Sequence, residues 1–324
     1  MRTLSRSLLA VAAAGAVVAA TVLLAGPAGA MGRPPLEAAT QSGVPGTVEL
    51  ATLTADAGYW TADRMRHARP ADQLATRAYR QDRKEGLLGG LGDITGVPLL
   101  RPSTKAAVAG LTPVAHIGKV FFTLSGVDYV CSGNVVTSHN RDVVATAGHC
   151  VNAGPGAYAT NWTFVPAYDN GSAPYGKWTA RKLVTTSQWA KNGDINYDTG
   201  FAVLTSRYGR HISDAVGASG VGFSQPKAQT YTLYGYPAGS PFDGETLQTC
   251  NGKASSDSYG STSDQGVSCD MTGGSSGGPW LLGAGSGGAQ QSINSFGYDS
   301  VADRMFGPYW GSAIQGAYTS AGTS

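Results

Sequence analysis

The chain has 324 residues, 42% of them hydrophobic and 14% charged, with 46 glycines and a net charge of +2. That length suffices for one large or two medium cores, and the near-neutral balance gives no reason to expect nucleic acid or an anionic membrane as a partner. Low charge with abundant Gly, Ser, Thr and Tyr fits an exported, mostly β protein better than a cytosolic helical one.

Arg2 and Arg6 precede an apolar run from Leu8 to Leu24, which is followed by Ala28-Gly29-Ala30. A basic start, an apolar stretch and an A-x-A site read as a secretory signal peptide over residues 1–30, cut after Ala30. An uncleaved anchor would suit the length of the run, but the small residues before Met31 favour cleavage. The protein is then expected to be secreted, with no membrane contact after cleavage. The two arginines are not adjacent, so a twin-arginine signal is not supported.

Residues 31–113 hold no cysteine, and residues 60–85 are the most charged part of the chain. Within that part Leu74, Ala75, Ala78 and Tyr79 allow a short amphipathic helix. Glycines between Gly86 and Gly96, then Pro98, Pro102 and Pro113, break regular structure. A linker would have this texture, but a pro-segment removed on maturation accounts better for the chain beyond it.

From Ile117 the texture changes to short β-type runs separated by turns: 119–124, 129–137, 142–146, 161–166, 177–185, 201–204, 230–236, 290–298 and 309–314. Many short strands with Gly, Pro, Asn and Asp between them suggest a sandwich or barrel. A short terminal helix is expected near 313–318. Cys131, Cys150, Cys250 and Cys269 are an even set in an exported chain and read as two disulfides, local pairing being the simplest of three connectivities. A four-cysteine zinc site lacks any C-x-x-C pair, so no metal and no cofactor are expected.

Three segments carry chemistry. The β run Val143-Val144-Ala145-Thr146 ends in Ala147-Gly148-His149-Cys150, where small neighbours let an imidazole emerge at a strand end. A disulfide from Cys150 would fix that turn in advance. Asp198 stands just before the apolar run Phe201-Ala202-Val203-Leu204, placed to orient a histidine through a buried carboxylate. Asp194, in a more polar loop, is its rival, and Asp169 and Asp214 are weaker. Finally, Gly274-Ser275-Ser276-Gly277-Gly278-Pro279 sets a serine in a turn whose backbone can approach a ligand closely. The G-x-S-x-G match suggests an α/β-hydrolase elbow, but that fold needs a histidine after the serine. The last histidine here is His211, which excludes an esterase or lipase of that kind. A subtilisin-like order would need an acid before His149, such as Asp128 or Asp142, and the strand-rich texture argues against it.

The order His149, Asp198, Ser276, with these three motifs, resembles the trypsin-like (chymotrypsin-fold) serine proteases over about residues 115–324. Cys131-Ser132-Gly133-Asn134, Gly235-Tyr236-Pro237 and Cys269-Asp270-Met271-Thr272 are similar to the secreted bacterial branch that includes the glutamyl endopeptidases. The resemblance implies an all-β fold of two six-stranded antiparallel β-barrels, with the protease domain over 114–324. The first barrel would span about 114–215 and the second 216–324. It implies a monomeric serine endopeptidase acting on protein or peptide substrates, with its own pro-segment as a further partner. Ser276 would be the nucleophile, His149 the base and Asp198 its orienting acid. The N–H groups of Gly274 and Ser276 would form the oxyanion hole, and Cys131–Cys150 would bridge the histidine loop. Ser295-Phe296-Gly297 aligns with the stretch that pairs with substrate backbone, and Asp270 and Met271 with the specificity pocket.

Two departures stand out. Ser275 replaces the usual acid before the nucleophile, and no Ile-Val-Gly-Gly start is present, so activation must differ from the trypsin scheme. Asp270 does not by itself imply a preference for Arg or Lys. Glutamyl preference lacks the histidine that branch uses near Asn294-Ser295-Phe296. A non-catalytic peptide- or protein-binding module of the same fold is the alternative, disfavoured because His149, Asp198 and Ser276 are all present.

Overall fold

The computed structural model describes residues 48–54, 56, 58–75 and 111–324. The expected signal peptide lies outside the described residues, as do parts of the expected pro-segment. Two elements precede the main fold: β1 (Val48–Thr52) and β2 (Arg69–Pro70), with a helix at Ala62–His67 between them.

Six strands then close on one another. They are β3 (Ile117–Leu124), β4 (Val127–Val135), β5 (Val143–Thr146), β6 (Thr160–Pro166), β7 (Trp178–Thr186) and β8 (Gly200–Leu204). The antiparallel pairings run β3–β4, β4–β5, β5–β8, β8–β7, β7–β6 and back from β6 to β3. A closed barrel leaves no free edge of its own. The pleat explains why β3 is buried along its whole length. Val120, Phe122 and Leu124 point into the barrel core, while Ile117 and Phe121 point out into a second cluster, because successive side chains leave a strand on opposite faces. That second cluster also takes Tyr234, Tyr236, Leu247 and Leu281 from the later half of the chain. One strand thus builds both the barrel interior and the interface.

The later half holds β9 (Thr230–Gly235), β10 (Gln248–Lys253), β11 (Ser255–Ser256), β12 (Gln265–Ser268), β13 (Pro279–Leu282), β14 (Gln290–Ile293) and β15 (Arg304–Gly307). They pair as a sheet in the order β10-β9-β13-β14 and a second sheet β11-β12-β15. Tyr231, Leu233 and Trp280 from one sheet and Val267 and Met305 from the other share a single core. With the closed barrel before it, this is the all-β, double-barrel chymotrypsin architecture.

The strand expected over 309–314 does not form. β15 ends at Gly307, and the helix Ser312–Gly322 begins after Gly311. Ile314, Ala317 and Ala321 are buried at helical spacing against the first barrel, so the apolar residues there follow period 3.6 instead of period 2. The expected strand 290–298 stops at Ile293 and resumes only as a single bridge between Phe296 and Phe306. Residues 72–75 are helical, and the remainder of the helix expected through Tyr79 lies outside the described residues. Among the described residues no helix is long and apolar enough to cross a membrane.

Candidate active site

His149 sits in a 3₁₀ turn, Gly148–Cys150, immediately after β5. The turn is held from both sides. Cys150 is bonded to Cys131 in β4, and the His149 backbone N–H donates to Asp198 Oδ1 at 2.8 Å. His149 Nδ1 meets Asp198 Oδ2, also at 2.8 Å. One carboxylate therefore fixes both the backbone and the ring of the same residue. Gly148 is required beside it, since a Cβ there would press on Asp198 Oδ1 and the Trp189 ring.

Asp198 is 0% exposed. It closes a short 3₁₀ turn, Ile195–Tyr197, just before β8. Its third partner is the Ser295 hydroxyl, which donates to Oδ2 at 2.5 Å. Three donors thus satisfy the buried carboxylate. The rival Asp194 caps that 3₁₀ turn through the Asn196 N–H. Asp142 pairs instead with His211 and the Ile212 N–H, and Asp214 with Arg141. None of these three is hydrogen-bonded to His149.

Ser276 lies in the loop before β13. Gly274 has φ +96° and Gly277 φ +80°, a left-handed backbone that side chains rarely adopt. The turn is closed internally: Ser275 Oγ donates to the Thr272 carbonyl at 2.7 Å, and the Gly278 N–H to the Ser275 carbonyl at 2.9 Å. Ser275 is buried, and its neutral hydroxyl is satisfied within the loop itself. Among the described residues the N–H groups of Gly274 and Ser276 donate to no other group, and His149 Nε2 and Ser276 Oγ are each buried without a hydrogen-bond partner. Unpaired buried polar atoms are costly and uncommon, although Tyr158, Gln188, Ser213, Asp264 and Arg304 carry others away from this site.

Sequence reasoning missed the residues that hold this loop. Ser132 in β4 donates its N–H to the Ser276 carbonyl at 2.7 Å and its hydroxyl to the Gly274 carbonyl at 2.9 Å, and accepts from the Tyr236 N–H at 2.8 Å. Asn294 donates to the Tyr234 and Ser275 carbonyls at 2.9 and 3.1 Å, and its Oδ1 accepts from Trp280 Nε1. Ser132 belongs to the first barrel and Ser276 to the second, so that contact sets one half of the site against the other.

The remaining expected positions are distributed as follows. Phe296 bonds Phe306 through both its N–H and its carbonyl. The Ser295 N–H donates to the same Phe306 carbonyl at 2.9 Å, and the trans peptides either side of Phe296 turn the Ser295 carbonyl and the Gly297 N–H to the opposite edge. Met271 is buried in the core of the second half, and Cys250 is bonded to Cys269 beside it. Asp270 is partly exposed, with an oxygen 4.0 Å from Cys250 Sγ. Among the described residues, one group of metal-ligand type gathers here, Cys131, His149 and Cys150, but both its sulfurs form the disulfide and offer no thiolate.

Comparison with known proteins gives a consistent picture. The family model described as Trypsin matches residues 110–310. Protease Anisep from Arthrobacter nicotinovorans is 55% identical, with TM-score 0.65, over 66% of this chain and 99% of that one. The thermostable serine protease AL20 from an extremophilic microorganism is 51% identical, with TM-score 0.63, over 65% and 98%. A Glu endopeptidase is 17% identical with TM-score 0.52, over 72% and 99%, a likeness of fold alone. An extracellular metalloprotease of Bacillus subtilis (strain 168) is 29% identical over 114 residues, and the match spans 35% of each protein's length.

Proposed function

Since the chain belongs to the trypsin family, we propose that it is a secreted serine endopeptidase with His149, Asp198 and Ser276 as its triad. The observation that carries this reading is the clamp of one buried carboxylate on both the N–H and the ring of His149. A base held in that way has its Nδ1 proton fixed and its Nε2 lone pair free for a nucleophile. The roles are those of the chymotrypsin-type triad, borrowed as a template. Ser276 Oγ attacks the peptide carbonyl while His149 takes its proton. The acyl-enzyme forms as His149 returns that proton to the leaving amine. Water then repeats the sequence and frees the acid. The Gly274 and Ser276 N–H groups receive the oxyanion, a contribution of about 10²–10³ in rate per donor. Backbone of the substrate pairs along the free edge at Ser295 and Gly297.

The polypeptide is made with a signal peptide over 1–30 and a pro-segment over 31–113, and the mature enzyme, 114–324, acts as a monomer outside the cell. A casein overlay tests the activity. The wild-type protein clears the gel, and Ser276→Ala does not. Equal clearing by both would refute the assignment of the nucleophile.

A further inference from the structure

His149 and Ser276 are both 0% exposed, yet a base and a nucleophile must meet substrate. Residues 69–75 run beside the loop that carries Ser276. Arg69 and Pro70 run parallel to β4, beside Tyr129 and Val130, and the Ala71 N–H donates to the Val130 carbonyl at 3.2 Å. The chain then turns helical over 72–75, the Leu74 N–H donating to the Ala71 carbonyl at 2.9 Å. A Cβ on Gly273 would collide with the Asp72 carboxylate, and His149 is among the charges that act on that carboxylate. Ala75, 1% exposed, packs in one cluster with Trp189, Ile195, Phe296 and Tyr298. The path thus leads from β4, past the residue next to Gly274, to the Phe296 strand.

We propose that residues 69–75 are a built-in inhibitor that fills the catalytic cleft, with Asp72 set against Gly273 of the nucleophile loop and Ala75 packed into the aromatic cluster at Phe296. The proposal rests on the serine protease reading above. The segment is not itself a substrate, because a backbone pairing at Ser295 and Gly297 must be extended, and this one is coiled. No carbonyl of its described residues accepts from Gly274 or Ser276.

Three anchors hold the plug in place. β1 pairs antiparallel with β7 from Val48↔Thr186 to Thr52↔Lys182. Trp60 is buried, with its Nε1 donating to the Asn161 carbonyl and its own carbonyl accepting from Lys177 Nζ, both at 2.6 Å. Arg64 and Tyr59 both bond Asp128. Such tethering gives the plug a high local concentration at the cleft.

The test is the reactivity of Ser276 toward a fluorophosphonate in the uncut full chain, read by mass spectrometry of the labelled peptide. If the cleft is open about 1% of the time, the uncut chain labels roughly 100-fold more slowly than the same protein after the segment has been cut away. Ala75→Arg, which drives a guanidinium into the aromatic cluster, raises the uncut rate at least about tenfold. Asp72→Ala, a milder change, raises it less. Hydrogen exchange at residues 273–277 and 295–297 reads the same opening without chemistry, with protection in the wild type and loss of protection in Ala75→Arg. Equal labelling of uncut and cut protein would overturn the proposal, and so would unchanged labelling and exchange in Ala75→Arg. If cut protein fails to label while Ala75→Arg still loses protection, the protease reading falls and the plug stands.

Discussion

Asp198→Asn is the sharpest probe of the site, because its outcome depends on which groups can turn. In the wild type, Oδ1 accepts from the His149 backbone N–H at 2.8 Å, while Oδ2 accepts from His149 Nδ1 at 2.8 Å and from Ser295 Oγ at 2.5 Å. A backbone N–H cannot become an acceptor, so the asparagine must keep its oxygen at the Oδ1 position. Its NH₂ then occupies the Oδ2 position. The Ser295 hydroxyl can rotate to accept from it. Nδ1 can accept only by giving up its proton, which places the proton on Nε2, where the base must be empty. The variant is close to isosteric and leaves the fold intact, so the loss appears in turnover. The expected fall in kcat/KM is about 10⁴-fold, the size established for this substitution in the template triad and not worked out from these distances, which corresponds to about 5 kcal/mol of barrier. The assay is hydrolysis of a chromogenic peptide by the matured enzyme, with thermal melting alongside. Retention of activity within tenfold of wild type, at unchanged melting temperature, would refute the tautomer reasoning.

Three further outcomes are expected. Ser132→Ala leaves the Tyr236 N–H without its acceptor and removes the hydroxyl's bond to the Gly274 carbonyl. It should cost about 1–3 kcal/mol of stability and lower kcat more than it raises KM, as measured by melting and steady-state kinetics. Replacing Cys131 and Cys150 together by serine opens a loop of sequence separation 19 and should cost about 3 kcal/mol on the chain-entropy model, read by denaturant unfolding. Asp264 is fully buried, with neither oxygen partnered among the described residues. Burial first, then the charges of Asp257, Asp198 and Asp194, hold its carboxyl well above the usual range, with Lys227 opposing. The folded protein therefore keeps a proton that the unfolded chain releases near pH ~4, and stability falls as pH rises above that value. Asp264→Asn should match wild type near pH ~3 and exceed it increasingly above pH ~4, by at most about 1.4 kcal/mol per pH unit; pH-independent melting differences would contradict this.

The legible parts of the sequence are those with a local signature. β3 to β8 and β9 are rich in Val, Phe, Tyr and Thr, and each forms within a few residues of its expected place. The paired cysteines join locally, in the simplest connectivity. β10 is not visible in the sequence, because Gln248–Lys253 is polar and alternates only once it lies on β9. β1 is hidden for a different reason. Val48–Thr52 has modest strand character and becomes a strand by pairing with Lys182–Thr186 of β7, beyond the two residues of β7 that pair with β6. The supports of the site are the least legible. Ser132, Asn294 and the Ser295 hydroxyl act through partners at sequence separations of 142, 60 and 97, and a polar residue in a strand carries no local mark of a partner so far away.

The distribution of these residues makes catalysis depend on docking. His149 stands just after β5 and Asp198 just before β8 of the first barrel, while Ser276 stands on a loop of the second half. The proposed triad is therefore divided between the two halves. What joins them is partly polar, through Ser132 on the Gly274 and Ser276 carbonyls and Asn134 on Ser219 and Gln290. It is partly apolar, through the cluster of Ile117, Phe121, Tyr168, Tyr234, Tyr236 and Leu281. Trp60 and Met65 belong to that same cluster, with Trp60 packed on Phe121 at 5.4 Å between ring centroids. Burying an aromatic side chain of this kind contributes roughly 2–3 kcal/mol, and here the gain falls at the joint between the halves. Trp60 and Met65 therefore stabilise the docked arrangement of the two halves. If residues 69–75 plug the cleft as proposed, the stretch that steadies the docking of the two halves also keeps substrate away from His149 and Ser276.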